Sequence, residues 1–474
     1  MMSGIQKFFC TLGLVVLPLM VKAQAPDTLW TRVYGGLQRD IGNCVHQTSD
    51  GAYIIAGVYG QFSSDYGSLY LLKTDSNGNK VWSKLYGGPS WDWGEEVEVL
   101  ADGYVVVGVT RSFGSGDNDV WLLKTDLNGD TLWTRTFGGV YVDFSKAVQV
   151  TSDSGFIIVG GTNSFNPWDF DVYVIKTDFQ GHPIWSRTYG GDTTDEASDV
   201  CETSDHGFLV VGFTRSYGSG EGDIYLLRLA SNGDTLWTKT IGGDDSDCGN
   251  KILPTSDGGY IICGSTSSFG AGGSDVFVVK IDQNGSVIWT KTYGGTDDEG
   301  GNSIQKTSDG GYVIIGTTRS FGAGKTDIYL IKIDSLGNTL WTTTFGQSDY
   351  ELGYSVEQTS DQGYILVGAT ESYGSGAYDV WLIKTEPDIS VKEEGVKRTS
   401  HPIVPRVCFG DLLIISGIEH KTEVKIFDIL GKEVMRRELS PQSSKIPVHS
   451  LSTGVYYLLF KRGFPKTAKV VLIK

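Results

Sequence analysis

One tryptophan returns seven times at a nearly fixed interval, as Trp30, Trp82, Trp133, Trp185, Trp237, Trp289 and Trp341, in steps of 52, 51, 52, 52, 52 and 52 residues. A period of this size marks a supersecondary unit that cannot bury its apolar face alone and has to stack on copies of itself. The clearest copy, residues 301–346, reads GNSIQKTSDGGYVIIGTTRSFGAGKTDIYLIKIDSLGNTLWTTTFG. It holds four runs of strand length, at 303–307, 312–318, 328–334 and 339–345. Tyr, Ile, Val, Thr and Trp dominate them, the residues that suit a pleated, half-buried surface. Ser308-Asp309-Gly310-Gly311 parts the first two runs and Leu336-Gly337-Asn338 the last two. Both are turn chemistry, since glycine takes positive φ at no steric cost. No helical period runs through the unit.

Four strands per unit and seven units predict an all-β chain, a seven-bladed β-propeller whose four-stranded blades ring a central channel. An open solenoid is the competitor, but solenoids need atypical capping repeats at their ends. Here the two ends complement each other. Residues 28–34 form a Trp-bearing strand that lacks the three strands before it, and the last copy, 353–385, stops before its Trp strand. The N-terminal strand is therefore expected to supply the outer strand of the seventh blade, closing the ring without a long open edge. The recurring stretch YLIKTDxNGxxLW resembles the tryptophan-docking repeat of quinoprotein-type propellers, a resemblance of about a dozen residues per unit. It implies that each Trp lies between neighbouring blades. The quinone cofactor is not implied, because the chain has no adjacent cysteine pair and no matching site.

Residues 1–23 read as a secretory signal: Lys7 gives the positive start, residues 8–20 the apolar run, and Val21-Lys22-Ala23 or Ala23-Gln24-Ala25 the cleavage site. The run is shorter than the ~20 residues needed to span a bilayer, so no transmembrane segment is expected in the mature protein. The propeller is expected over 27–386. Between residues 24 and 387, 47 acidic residues face 22 basic ones, which argues against a nucleic-acid partner. After the signal the cysteines are Cys44, Cys201, Cys248, Cys263 and Cys408. Cys248 and Cys263 share a blade and a disulfide between them is one reading. Small buried thiols are the simpler account of all five. There is no CxxC or HExxH pattern, and no cofactor is expected. Calcium needs six to eight oxygens, and Gly116-Asp117-Asn118-Asp119 offers only some of them in a loop whose Asp117 the other copies lack.

A linker is expected over 387–405 and a small C-terminal β-sandwich over 406–474, with strands at 411–416, 423–429, 434–439, 455–460 and 468–473. From residue 388 onward the balance turns basic, 15 against 9. VKIFDILGKEV (Val424–Val434), LSTGVYYLLF (Leu451–Phe460) and the terminal KVVLIK (Lys469–Lys474) resemble the type A C-terminal sorting domain of type IX secretion. The resemblance implies an address that engages the type IX machinery, carries a folded cargo across the outer membrane of a Bacteroidota-type cell, and is cut off at the surface.

Comparing the seven copies with one another isolates the positions that carry chemistry. An acidic residue stands ten positions after every Trp: Asp40, Asp92, Asp143, Asp195, Asp247, Glu299 and Glu351. Two readings are open. One is a cation-attracting ring at a channel mouth. The other is a structural group that accepts backbone N–H bonds or pairs with loop arginines such as Arg111, Arg215 or Arg319. A second series, Asp50, Asp102, Asp153, Asp205, Asp257, Asp309 and Asp361, sits in the first turn and bonds its own backbone. A third, Asp119, Asp171, Asp223, Asp275, Asp327 and Asp379, with Ser68 in the first copy, is read as capping the long loop. The basic series Lys73, Lys124, Lys176, Arg228, Lys280, Lys332 and Lys384 is expected to pair with a nearby carboxylate.

Departures from the repeat say more about function. Trp91 and Trp93 interrupt the entry to the second blade, Tyr141 and Phe144 the entry to the third, and Trp168 lies in the third blade's long loop. With Asp92, Asp143 and Asp169 beside them, these aromatics are candidates for stacking on sugars or anchoring a protein. The alternative is that they pack their own loops. The chain thus reads as a secreted or surface-attached, non-catalytic binding or adhesion module with a polysaccharide or protein ligand. A carbohydrate-active enzyme and a purely structural repeat protein are the alternatives.

Overall fold

The computed structural model describes residues 24–61, 67–166 and 168–388, and in the C-terminal part 407–409, 412–414, 422–428, 432–439, 445–448, 450–452, 454–460 and 467–473. The expected signal and nearly all of the expected linker lie outside them. Two compact units make up the chain, parted near residue 392.

The first unit is the seven-bladed propeller. Seven separate four-stranded antiparallel sheets follow one another, and in six of them the strands lie in chain order. These blades occupy residues 39–86, 92–137, 143–189, 195–241, 247–293 and 299–345. The seventh holds Glu351–Gln358, Tyr364–Thr370 and Asp379–Thr385, and its fourth strand is Thr28–Tyr34 from the start of the chain. Trp30 lies opposite Lys384 and Tyr34 opposite Val380 in that pairing, so the ring closes as the repeat arithmetic requires.

Each blade buries both faces against its neighbours, which is why its middle strands are apolar throughout instead of alternating. Ile54, Ala56, Leu69 and Leu71 of the first blade pack on Val97, Val106, Trp121 and Leu123 of the second, for example, with Trp82 against them. Each buried Val, Leu or Ile among them contributes about 1.5–3 kcal/mol by leaving water. The repeated Trp lies between blades: Trp30 meets Tyr53 at 5.9 Å, Trp133 meets Phe156 at 6.3 Å and Trp341 meets Tyr364 at 5.9 Å between ring centroids. A polar tie accompanies it, since Tyr189 Oη donates to the carbonyl of Gly233 and Tyr293 Oη to that of Gly337.

The basic series pairs with the first-turn aspartates in all seven copies, as Lys73–Asp50, Lys124–Asp102, Lys176–Asp153, Arg228–Asp205, Lys280–Asp257, Lys332–Asp309 and Lys384–Asp361, at 2.5–3.3 Å. Each cation is buried or nearly so while its aspartate reaches solvent, so the pair holds the turn against the third strand.

The innermost strands begin earlier than their apolar runs suggest. In the sixth blade the strand is Glu299–Lys306, not 303–307. All seven carry a β-bulge, as at Gly94/Glu96, Gly249/Lys251 and Gly353/Ser355, and the bulge breaks the alternation that a sequence reader relies on. It also explains the glycine in every second strand: a Cβ on Gly108 would lie 2.0 Å from the carbonyl oxygen of Trp93.

In the C-terminal unit, Val407–Phe409, Thr467–Ile473, Gly454–Phe460, Thr422–Phe427 and Glu433–Leu439 form one five-stranded sheet in that order, and Leu412–Ile414 pairs with Lys445–Pro447. Val424, Ile426, Met435, Leu439, Ile446 and Leu458 are among its core. The short strands at 407–409 and 445–447 were not expected from the sequence.

Candidate functional site

The long loops and the connections between blades share one face of the propeller. Asp143 N donates to Asn118 O, Asp195 N to Phe170 O and Asp247 N to Gly222 O, so each blade entry is stitched to the long loop of the blade before it. The seven carboxylates sit at that junction and are fully or almost fully buried. Asp92 accepts from Gly88 N at 2.9 Å, Ser112 Oγ at 2.6 Å and Thr110 Oγ1. Asp143 accepts from Gly139 N at 2.8 Å, Ser164 Oγ at 2.6 Å and Thr162 Oγ1. Blade-building is therefore their role, and Asp92 and Asp143 are not exposed ligand groups. The guanidinium groups of the loop arginines go elsewhere: Arg111 pairs with Asp117, Arg319 with Asp298, and Arg215 lies over the Phe213 ring, although the Arg319 backbone N–H donates to Glu299 at 3.2 Å. The third aspartate series caps the long loops as expected, Asp119 accepting from Ser115 N at 2.7 Å and Asp223 from Ser219 N at 2.6 Å.

The candidate aromatics part company. Trp168 is 88 % exposed and Tyr141 46 % exposed, both in third-blade loops. Trp91 is half-buried beside its own loop, where its carbonyl accepts from Arg111 N. Trp93 instead turns inward and lines the central channel. Phe144 packs edge-on against Phe170 at 5.5 Å with Lys146 above it.

A cavity of about 590 Å³ occupies the channel, and every innermost strand contributes to its lining. Its character comes from positions where the copies disagree. At the bulge stand Asn43, Glu95, Lys146, Ser198, Asn250, Asn302 and Tyr354. Where asparagine is kept it is a strut to the next blade: Asn43, Asn250 and Asn302 donate to the carbonyls of Gly94, Gly301 and Gly353 at 2.7–2.8 Å. Where it is lost, charge and aromatic surface appear. Glu95 accepts from Trp93 Nε1 at 3.0 Å and from Lys146 Nζ at 3.2 Å. Tyr354 and Trp93 share an apolar patch with Ile41, Val58, Ala369 and Tyr378, and Arg39 lies over the Tyr378 ring at 4.8 Å.

One residue deeper, Lys251 Nζ spans the channel to Glu96 at 2.6 Å and to Asp199 at 3.1 Å. Glu96 and Asp199 also accept the backbone N–H groups of Val148 and Ile252 in the blades that follow theirs. Burial, opposed by Lys251, pushes the Asp199 carboxyl up to about 6. Deeper again, Glu357 accepts from Gln47 N at 2.9 Å and lies 3.0 Å from His46 Nδ1. Burial opposes charge on that imidazole, but Cys44 and Glu357 outweigh it and hold its pKa well above the ordinary value. At the same level in the second blade, burial and the charge of Glu96 push Glu98 up to about 7. Cys44, Cys201, Cys248 and Cys263 are free thiols, so Cys248 and Cys263 are not bridged, while Cys408 lies outside the residues with described side chains. No three His, Cys, Asp or Glu side chains group to hold a metal among the described residues.

Sequence reasoning reached Trp93 but missed Arg39, His46, Glu95, Glu96, Glu98, Lys146, Asp199, Lys251 and Tyr354. The available signal was disagreement among copies at a fixed offset from the buried carboxylate.

Comparison with known proteins decides the second unit. Residues 410–474 match the family model of the secretion system C-terminal sorting domain. The C-terminal unit is a sorting domain. The expected type IX address is thus present, and the chain is a secreted propeller protein whose sorting domain implies the secretion machinery as a partner and export to or beyond the outer surface. No helix among the described residues is long and apolar enough to cross a membrane. Outside the sorting domain the likenesses are distant. The regulatory protein FlaEY of Caulobacter vibrioides is 25 % identical over 178 residues, covering 32 % of this chain. The chain spans only 18 % of that relative's length. Among solved structures, Sqt1 from Chaetomium thermophilum has a TM-score of 0.45 at 11 % identity, over 76 % of this chain and 99 % of that one. YCF48 bound to D1 peptide has a TM-score of 0.44 at 11 % identity, over 77 % and 98 %.

Proposed function

We propose that the propeller is an extracellular, non-catalytic binding module whose ligand meets the long-loop face at the channel mouth. The observation that carries this reading is where the repeat fails. Arg39, Trp93, Glu95, Lys146 and Tyr354 depart from the copies around them and converge on one opening. A residue needed by every blade recurs in every blade, whereas these serve no common structural need. Flat aromatic surfaces beside fixed charges suit the faces and hydroxyls of a sugar chain, so polysaccharide is the preferred ligand and a protein the alternative. The test is binding of the full-length protein to a glycan array and to cell-surface protein extracts, repeated with Trp93→Ala and Tyr354→Ala. Loss of a wild-type signal in both variants supports the reading, and an unchanged signal in both overturns it.

A carbohydrate-active enzyme is the second reading, favoured by one observation. Burial and the neighbouring Glu96 raise the Glu98 carboxyl, the environment in which an acid catalyst is found. Release of reducing ends from polysaccharide, abolished by Glu98→Gln, would support it in place of the non-catalytic reading.

A further inference from the structure

The channel is filled unevenly around its circumference. At the strand position of Glu96, the second, fourth and fifth blades carry Glu96, Asp199 and Lys251, and their brace takes up that side of the channel. The sixth, seventh and first blades adjoin one another and carry Ser303, Ser355 and Cys44 there. Small side chains leave room, so the cavity continues as a slot on their side, past Ser303 and Ser355 to Gln305 and His46. Trp93 and Tyr354 stand above it, and the indole of Trp93 is held in place by donating its Nε1–H to Glu95 at 3.0 Å. The seven innermost strands enclose the slot on every side, so a polymer can enter it only with an end.

Charge narrows the ligand further. Lys146 is bonded to Glu95, Lys251 to Glu96 and Asp199, and His46 to Glu357, while the Arg39 guanidinium lies over the Tyr378 ring. The cations of the wall are thus met within the wall, and the propeller around them is acidic, 47 carboxylates to 22 basic groups. An anionic chain is repelled on approach and finds its counter-charges already engaged. Aromatic faces and neutral hydrogen-bonding groups, such as the Ser303 hydroxyl and the Gln305 amide, suit an uncharged, hydroxylated ring.

We infer that the propeller recognises the end of an uncharged glycan chain, its terminal rings inserted into the slot beside Trp93 and Tyr354 and the rest of the chain leaving through the mouth. This deepens the binding reading and rests on it. A cavity of about 590 Å³ has the size of a small-ligand site, with room for about two or three sugar rings. Contacts therefore end near the third ring. A longer chain gains nothing inside the slot, and the interior rings of a polymer never reach it.

The experiment is calorimetric titration of the full-length protein with the malto-, cello-, manno- and N-acetylchito-oligosaccharide series, from monosaccharide to hexasaccharide. α-Cyclodextrin, which has no end, is the control for maltohexaose, and oligogalacturonate is the charged control. At least one series should bind, with affinity rising to the trisaccharide and longer members within about twofold of it, and neither control should bind. Ser303→Phe closes the slot and should weaken binding on the order of tenfold or more, the loss of buried anchor contacts. Ser303→Ala keeps the slot open and should bind like wild type. Melting temperature reports whether the Phe variant is folded, and where it is not, the length series decides alone. The inference is overturned if no series binds, if affinity keeps climbing from trisaccharide to hexasaccharide, if either control binds as well as the linear neutral chains, or if folded Ser303→Phe binds like wild type. A Trp93-dependent signal on the glycan array in any of those cases would remove this inference alone. A silent array and extract together with silent series would remove the binding reading as well.

Discussion

Lys251 and Glu96 are 155 positions apart in the chain and 2.6 Å apart across the channel. No local rule of sequence brings them together; only a closed ring does. Asp199 completes the brace from a third blade at 3.1 Å. Two carboxylates are thus held in a secluded channel by one shared ammonium.

Replacing Lys251 with Met removes that cation and leaves Glu96 and Asp199 facing each other without compensation. Breaking a buried pair from one side costs about 3 kcal/mol, and guanidinium unfolding at neutral pH should show a loss of that order. The sign with pH follows from the acids. Burial already raises the Asp199 carboxyl against the pull of Lys251, and losing Lys251 raises it further. The variant's deficit should shrink toward pH 5, where Asp199 takes up a proton, and grow above neutrality.

Six of the turn pairs, those of Asp50, Asp153, Asp205, Asp257, Asp309 and Asp361, respond in the opposite direction. Side-chain hydrogen bonds and Lys176 outweigh burial and hold Asp153 down at about 2, and Lys280 with Thr255 does the same for Asp257. A carboxyl whose folded pKa is depressed stabilises the fold above its unfolded value and loses that contribution as pH falls toward the folded value. The propeller should therefore lose melting temperature steadily between about pH 4 and pH 2. In Asp153→Asn that loss should be shallower, with a lower melting temperature at neutral pH. A pH-independent difference between the two proteins would contradict the assignment.

The repeat made the architecture legible because it is written in side chains that every blade needs. Trp30 and Lys384 could be paired on paper from where the copies start and stop. The turn aspartates and the basic series were equally readable, since a buried cation demands a carboxylate. The channel was not readable, for a geometric reason. A bulge in each innermost strand aims two successive residues, such as Glu95 and Glu96, toward the channel, whereas simple alternation would send one of them into the blade. Asp92 and Asp143 misled in the other direction. They look like ligand groups beside aromatics, but serine and threonine hydroxyls and a backbone N–H consume their oxygens inside the blade.

Asp119 makes a test of the blade junctions. Its carboxyl caps the long loop through Ser115 N, yet burial and then the charge of Asp143 raise it to about 6. A raised acid stabilises the folded state at low pH and loses that contribution as pH rises through the folded value. Asp119→Asn keeps an acceptor for Ser115 N without the charge. Its melting temperature should match or exceed wild type above about pH 6 and fall below it in acid. The reverse ordering in differential scanning calorimetry would show that the ionised form is the one the loop requires.

The sorting domain gives a prediction in the host. Deleting residues 410–474 removes the family-matched segment and leaves the propeller's own strands untouched. The truncated protein should accumulate inside the outer membrane, folded and resistant to protease until the cells are opened. Fractionation with surface proteolysis measures this, and normal surface display of the truncated chain would refute an address role for that segment.

Closure of the ring is the last and most demanding test. Thr28–Tyr34 pairs with Asp379–Thr385, and Trp30 packs on Tyr53 of the first blade, so one strand bonds one blade and fills the interface with the next. Removing it exposes the edge of the seventh blade and uncovers the Tyr53 face together, whereas Trp30→Ala removes only the packing, at a cost of about 3–5 kcal/mol. Deletion of residues 28–34 should split the single unfolding transition into a broader, multi-step one, because blades in an open array are coupled only to their nearest neighbours. Adding the excised strand back as a synthetic peptide should restore one transition, and should do so less well when the peptide carries alanine for Trp30. If the deletion variant melted as cooperatively as wild type, the seam between the two ends would not be what holds the propeller together.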